Sequence, residues 1–201
     1  MSAQPKYKYS LEEYLEMDRQ SEARLEYWDG EIFDMSGVQE EHGEIEVNLA
    51  VSLGSRLKQR GCRIFLANMR LKVPSFPPYR YGDTSALCGQ AMFEKIGGVD
   101  TLTNPALIIE VLSESTEGYD RGKKFSHYKS IPSFSEYLLI AQDRAHVTHY
   151  VKQDELTWNQ REYNNLNDEV QLVSVTCEIS LRELYENVTF KESKPHLRPL
   201  E

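Results

Sequence analysis

Pro105-Ala-Leu-Ile-Ile-Glu-Val-Leu112 is an apolar run broken by one acid, Glu110. Its nearly continuous apolar part, Leu107 to Leu112, is expected of a central β-strand covered on both faces. A carboxylate inside such a strand is costly unless it is paired or binds a cation. Upstream, Asp83 stands in a second extended segment, Arg80 to Cys88. Downstream, Asp120-Arg-Gly-Lys-Lys-Phe125 lies in a polar, lysine-bearing helix, Thr116 to Lys129, closed by Ile131-Pro132. Two acids and a lysine in this order form a candidate site for a divalent metal and a phosphate. Asp83 would offer the carboxylate oxygens that hard cations such as Mg²⁺ prefer.

Each of these residues also has a purely structural reading. Asp83 could be a strand-end aspartate held by backbone amides, and Glu110 one half of a buried ion pair. Asp120 and Lys124, at i and i+4, could form an exposed helix pair worth about 0.3–0.5 kcal/mol. The same spacing would let Lys124 lean towards the strand end that carries Glu110, with Lys123 pointing elsewhere. Glu110, Asp120, Lys124 and Tyr128 would then line one helical face and one strand end.

Working outward, Ser10-Leu-Glu-Glu13 is a capping box opening a short helix through Met17. A turn at Asp29-Gly30 leads into a strand, Glu31 to Ser36. Glu41 to Arg60 is the longest helical segment: Ile45, Leu49, Leu53 and Leu57 recur along one face and Gly61 ends it. Its first turns carry Glu41, His42, Glu44 and Glu46. Acids there suit the positive helix terminus, and one of these glutamates could complete a metal shell; the sequence leaves open which. Cys62 to Leu66 and Met69 to Val73 read as strands, Pro74 to Pro78 as a loop, and Gln90 to Thr103 as a long polar loop. Tyr79, Tyr81 and Phe93 read as packing or loop cover. Further strands are expected at Glu136 to Ala141, His146 to Lys152 and Leu156 to Tyr163, the last two as a hairpin, with a short capped helix from Ser180. One α/β domain over residues 3–190 with a loose polar tail, 191–201, is the expected organisation.

Composition narrows the function. The net charge is −9, from 23 basic and 32 acidic residues. Phosphate contacts come from Lys and Arg, so this balance argues against a tight non-specific polyanion binder. It leaves room for an enzyme whose metal offsets a repulsive surface. No apolar run approaches the roughly 20 residues of a bilayer span, and Met1-Ser-Ala-Gln-Pro-Lys6 lacks the apolar core of a signal peptide. A cytoplasmic protein is expected. Cys62, Cys88 and Cys177 form no Cys-x-x-Cys pair and are expected as reduced, mostly buried thiols. His146 and His149 fall on opposite faces of an alternating strand and form no ligand cluster.

Tyr9-Ser-Leu-Glu-Glu-Tyr14, Asp29-Gly-Glu-Ile32, Glu41-His42 with Asn48-Leu49, Met69-Arg70 and Gly82-Asp83 follow one another along the chain. Asn104-Pro105, Ile109-Glu-Val-Leu-Ser113, Ser115-Thr116, Tyr119-Asp-Arg121 and Lys124 with Tyr128 complete the series. In this order and spacing the residues resemble the Uma-type restriction endonuclease family of the PD-(D/E)XK nuclease superfamily, from the Ser10 helix to the Leu184 helix. The resemblance implies a restriction-endonuclease-like core, a mixed central sheet flanked by helices. It also implies Mg²⁺, or Mn²⁺, held by Asp83 and Glu110, and hydrolysis of DNA phosphodiesters with Lys124 assisting. Glu41, His42, Glu44, Asp120 and Tyr128 are candidate auxiliaries. The superfamily's usual lysine position, two after the second acid, is Leu112 here, and the family supplies its lysine from the following helix. Gly82 stands where the motif's proline is expected, and a glycine loosens the turn that fixes Asp83. Two rival readings remain: a nuclease-fold protein that binds without cutting, and a hydrolase of small phosphoesters with a closed pocket. A homodimer would suit cleavage of two strands.

Overall fold

The computed structural model describes residues 7–28, 30–34, 37–75 and 78–190; residues 1–6, Asp29, Met35, Ser36, Phe76, Pro77 and the tail 191–201 lie outside these, and with them parts of the expected turn at Asp29-Gly30, strand Glu31 to Ser36 and loop Pro74 to Pro78. Helix α1, Leu11–Gln20, starts at the expected capping box: Glu13 N–H donates to Ser10 Oγ and Ser10 N–H to the Glu13 carboxylate. Strands β1 (Leu25–Trp28) and β2 (Glu31–Asp34) form a hairpin. Helix α2, Glu40–Gln59, presents Ile45, Leu49, Leu53 and Leu57 to the core, all fully buried. The four-residue apolar spacing therefore does what the sequence expects of it.

Next come β3 (Cys62–Leu66), β4 (Arg70–Leu71), β5 (Arg80–Tyr81) and β6 (Thr84–Cys88). The stretch expected as one strand from Arg80 to Cys88 is interrupted at Gly82-Asp83. Gln90 to Thr103, expected as a loop, instead forms a hairpin of β7 (Phe93–Ile96) and β8 (Val99–Leu102). Gly97 and Gly98 turn it with φ +59° and +84°. Two consecutive residues with positive φ are what a tight two-residue hairpin requires, and glycine supplies them without steric cost. The polar composition hid this turn signal.

The central strand β9 is Leu107–Leu112, buried along its whole length. With β10 (Glu136–Ala141), β11 (Val147–Lys152) and β12 (Trp158–Tyr163) it builds a six-stranded sheet ordered β12-β11-β10-β9-β6-β3. The β9–β10 pair is parallel and the β9–β6 pair antiparallel, so the sheet is mixed. Leu107, Ile109 and Val111 face a core shared with α2, β13 (Glu169–Leu172), β14 (Cys177–Ser180) and the capped helix α5 (Leu181–Leu184). Ile108 and Leu112 face a second core containing Phe125, Tyr128, Phe134 and Tyr137.

Two local expectations are corrected. Thr116 to Lys129 is helical, but in three pieces: α3 (Glu117–Tyr119), a π-helical turn (Asp120–Lys124) and α4 (Phe125–Tyr128). Such π turns inside α-helices are frequent at functional positions. The thiols are not all free: Cys62 and Cys88 form a disulfide, and only Cys177 is a free, buried thiol. The two are 26 apart in sequence but directly opposite in the antiparallel β3–β6 pair, a proximity that sequence spacing alone cannot reveal. Closing a loop of this size stabilises a fold by about 3 kcal/mol. Cys62→Ala/Cys88→Ala is therefore expected to lower the urea midpoint, and dithiothreitol should lower the wild type alike. A double variant as stable as wild type would show that the cross-link contributes nothing.

Candidate active site

Asp83 precedes β6 by one residue. The β6–β9 register pairs Thr84 with Ile109, and continuing it by one step sets Asp83 beside Glu110. The Val111 N–H donates to Asp83 Oδ2 at 2.7 Å, so the side chain takes over where the backbone ladder stops. Gly82 makes this close approach feasible through its lack of a side chain, since its φ is not positive. A Cβ there would lie 3.0 Å from Ile108 Cγ2 and 3.4 Å from Glu110 Oε1. Gly82→Ala is expected to cost about 1–3 kcal/mol by overpacking, read as a lower urea midpoint. An unchanged midpoint would mean that Ile108 simply moves aside.

Glu110 sits deep on β9 with its side chain 2% exposed. Tyr128 O–H donates to its Oε1 at 2.8 Å, and Lys124 Nζ lies 2.9 Å from its Oε2. Lys124 Nζ also lies 3.5 Å from Asp120 Oδ1. The exposed Asp120–Lys124 pair considered from the sequence is thus a buried cluster: the π turn presents both residues to the sheet, while Lys123 is exposed. Burial pushes the Glu110 and Asp120 carboxyls upward; Lys124 opposes this in both, and Asp83 adds to it. Burial would lower Lys124, but Glu110 and Asp120 outweigh it and hold the ammonium charged well above its ordinary range.

His42 and Glu46, one turn apart on α2, approach Asp83 from the other side. One ligand atom from each of His42, Glu46 and Asp83 lies within 4.8 Å of the others. His42 Nε2 is 3.6 Å from Asp83 Oδ2, too long for a hydrogen bond. Burial favours the neutral ring, yet the Asp83 and Glu46 carboxylates together raise it above its ordinary value. Burial would raise Asp83; His42, Lys124 and the Val111 amide hold it below its usual range. Burial, with Asp83 second, pushes Glu46 up. Glu41 and Glu44, named with His42 from the sequence, stay outside this group. Only the fold shows that Glu46, on the same helix face as His42, is the glutamate brought to Asp83.

His42, Asp83, Glu110, Asp120 and Lys124 line a pocket of about 690 Å³ between the start of α2 and the α3–α4 segment. Glu26 also lines it and had no sequence signal. It is buried, accepts the Tyr81 N–H at 2.8 Å, and lies 4.0 Å from the fully buried Arg80 guanidinium. Tyr79 and Tyr81 pack in an aromatic cluster with Tyr14, and Phe93 packs edge-on against Phe65. The acids lining the pocket, Glu26, Asp34, Asp83, Glu110 and Asp120, outnumber its basic residues Arg24, His42 and Lys124. An excess of oxygen donors around one pocket end fits a divalent cation.

A mixed sheet carrying paired acids between flanking helices is a restriction-endonuclease-like fold. A solved structure from Anabaena variabilis, titled "a putative nuclease belonging to DUF820", matches it with a TM-score of 0.69 at 22% identity, over 87% of this chain and 96% of that one. The chain belongs to the Uma2 family, described as "Putative restriction endonuclease", whose model matches residues 11–182. Two Synechocystis proteins (strain PCC 6803) are similar along most of their length. "Uncharacterized protein sll1609" is 34% identical over 79% of this chain and 89% of its own. "Uncharacterized protein slr1290" is 30% identical over 91% of this chain and 94% of its own. Among the described residues no helix is long and apolar enough to cross a membrane.

Proposed function

We propose that this chain is a metal-dependent nuclease that hydrolyses DNA phosphodiester bonds, with Asp83 and Glu110 as metal ligands and Lys124 as the assisting cation. The observation that carries the reading is the meeting of Asp83, Glu110 and the buried Lys124 in the lining of one pocket. A divalent ion held by Asp83 and Glu110, Mg²⁺ or Mn²⁺, supplies Lewis acidity at the phosphoryl oxygen and a more acidic water. The chain's own groups do the rest. The Val111 amide and the Tyr128 hydroxyl hold the two carboxylates in fixed orientations. Lys124, kept protonated by its carboxylate neighbours, places a positive charge where negative charge develops on the phosphate. A resident cation also offsets the acidic surface that would otherwise repel a polyanion. A homodimer would present two such pockets to the two strands of a duplex.

Purified protein incubated with supercoiled and single-stranded DNA tests the proposal. Cleavage is expected with Mg²⁺ or Mn²⁺, lost in EDTA, and reduced about a hundredfold or more in Asp83→Asn. Equal cleavage by both proteins would identify a contaminant. Binding of either DNA without cleavage under any of these metals would favour the non-cutting reading.

A further inference from the structure

His42 is nine-tenths buried, at 9% exposure, yet its Nε2 has no hydrogen-bond partner. That nitrogen points at the one carboxylate it nearly touches, Asp83, on the pocket wall. Its contact with Asp83 is a long ion-pair distance of 3.6 Å rather than a hydrogen bond, so the buried ring nitrogen keeps the capacity to bind a ligand. Glu46 and Asp83 each bring an oxygen to the same spot, within 4.8 Å of the histidine. The His42 ring is carried by the first turns of a twenty-residue helix whose leucines are locked in the core, so its position is set by the fold.

We infer that His42 is a metal ligand through Nε2, and that the mixed His42, Glu46 and Asp83 shell takes a first-row transition ion such as Mn²⁺ in preference to Mg²⁺. The chemistry is that of donor type. Mg²⁺ demands a near-ideal octahedron and keeps to oxygen and water, whereas imidazole suits the first-row ions Fe, Ni, Cu and Zn, and the affinity of a given site rises from Mn²⁺ upward along that series; Mn²⁺, the weakest of them, is therefore the strictest probe of the preference. A shell built on Asp83 and Glu110 alone would be all oxygen and would not discriminate in this way. The preference presupposes the nuclease reading of the same pocket, but it concerns only which ion the pocket holds and through which atoms.

The test uses the full chain, stripped of metal with EDTA and dialysed, then titrated with MnCl₂ while free Mn²⁺ is followed by electron paramagnetic resonance. Bound Mn²⁺ is expected to show the nitrogen modulation of a coordinated imidazole in electron spin-echo spectra. MgCl₂ is expected to displace it only at a roughly tenfold or greater excess. His42→Ala should lose the nitrogen signal and weaken Mn²⁺ binding by about tenfold or more, with Mg²⁺ affinity changed much less. If that variant fails to fold, His42→Gln, which keeps a polar side chain of similar size, serves for the same comparison. Bound Mn²⁺ without nitrogen modulation, displaced by equimolar Mg²⁺, would overturn the inference and leave an oxygen-only site at Asp83 and Glu110 intact. No Mn²⁺ binding at all, together with no metal-dependent cleavage, would overturn both.

Discussion

Lys124→Met is expected to destabilise the protein by about 3–5 kcal/mol near pH 8, the range for removing one partner of a buried ion pair. Methionine roughly matches the lysine stem but leaves Glu110 and Asp120 facing each other with side chains only 2% and 5% exposed. The loss should depend on pH in a definite direction. Burial already holds both carboxyls above their ordinary values, and Lys124 is the largest influence working against it. A carboxyl raised in the folded state binds its proton more readily folded than unfolded. Its contribution is fully present below the ordinary carboxyl range and is lost as the pH rises from there through the raised folded-state value. Urea melts of the variant at pH 5 and pH 8 should therefore diverge more than those of wild type. Adding Glu110→Gln to Lys124→Met should recover part of the loss, because one of the two uncompensated carboxylates is gone. A single variant as stable as wild type at pH 8 would show that Lys124 does not neutralise this cluster.

Glu110→Gln separates chemistry from folding. The amide keeps the shape: its oxygen can accept from Lys124 Nζ and its NH2 can donate to the Tyr128 oxygen, whose hydroxyl can turn to the Tyr81 carbonyl, while Lys124 retains Asp120 at 3.5 Å. Removing a desolvated carboxylate also removes its burial cost, so stability should change far less than in Lys124→Met. DNA cleavage should fall about a hundredfold or more, because a metal misplaced by about 1 Å already costs that much. Rate measurements under saturating Mn²⁺ check this. Unchanged turnover in a folded Glu110→Gln protein would exclude Glu110 from the reaction and leave it as half of a structural pair.

Much of the frame was legible because it depends on local periodicity. The leucine spacing of α2, the apolar run of β9 and the two capping boxes each report a single element in its own sequence. What escaped depends on contacts between elements. Nothing near Cys62 announces Cys88, since only antiparallel pairing makes them neighbours. The β7–β8 hairpin was masked because its strands are polar and half-exposed, leaving Gly97-Gly98 as its one strong mark. For Asp120 and Lys124 the spacing allowed both an exposed pair and a lean towards Glu110; the chain takes the second, through a π turn that a regular helical count does not include. In the same way His42 and Glu46 were two among several polar residues on one helix until Asp83 arrived from β6 to single them out.

The alternation along β9 has a consequence for how this lineage can vary. Leu107, Ile109 and Val111 belong to one core, and Ile108 and Leu112 to the other, with Glu110 on their side. Insertion or deletion of one residue within the strand would exchange the two sets, turning the acid away from Lys124 and towards the α2 side. Descendants of this chain are therefore free to swap one aliphatic residue for another here but not to change the strand's length. The turn between β11 and β12 carries no such tie: Leu156 at its tip is 94% exposed. Length variation among descendants should collect at that turn, and an inserted epitope or dye-labelling peptide would be tolerated there.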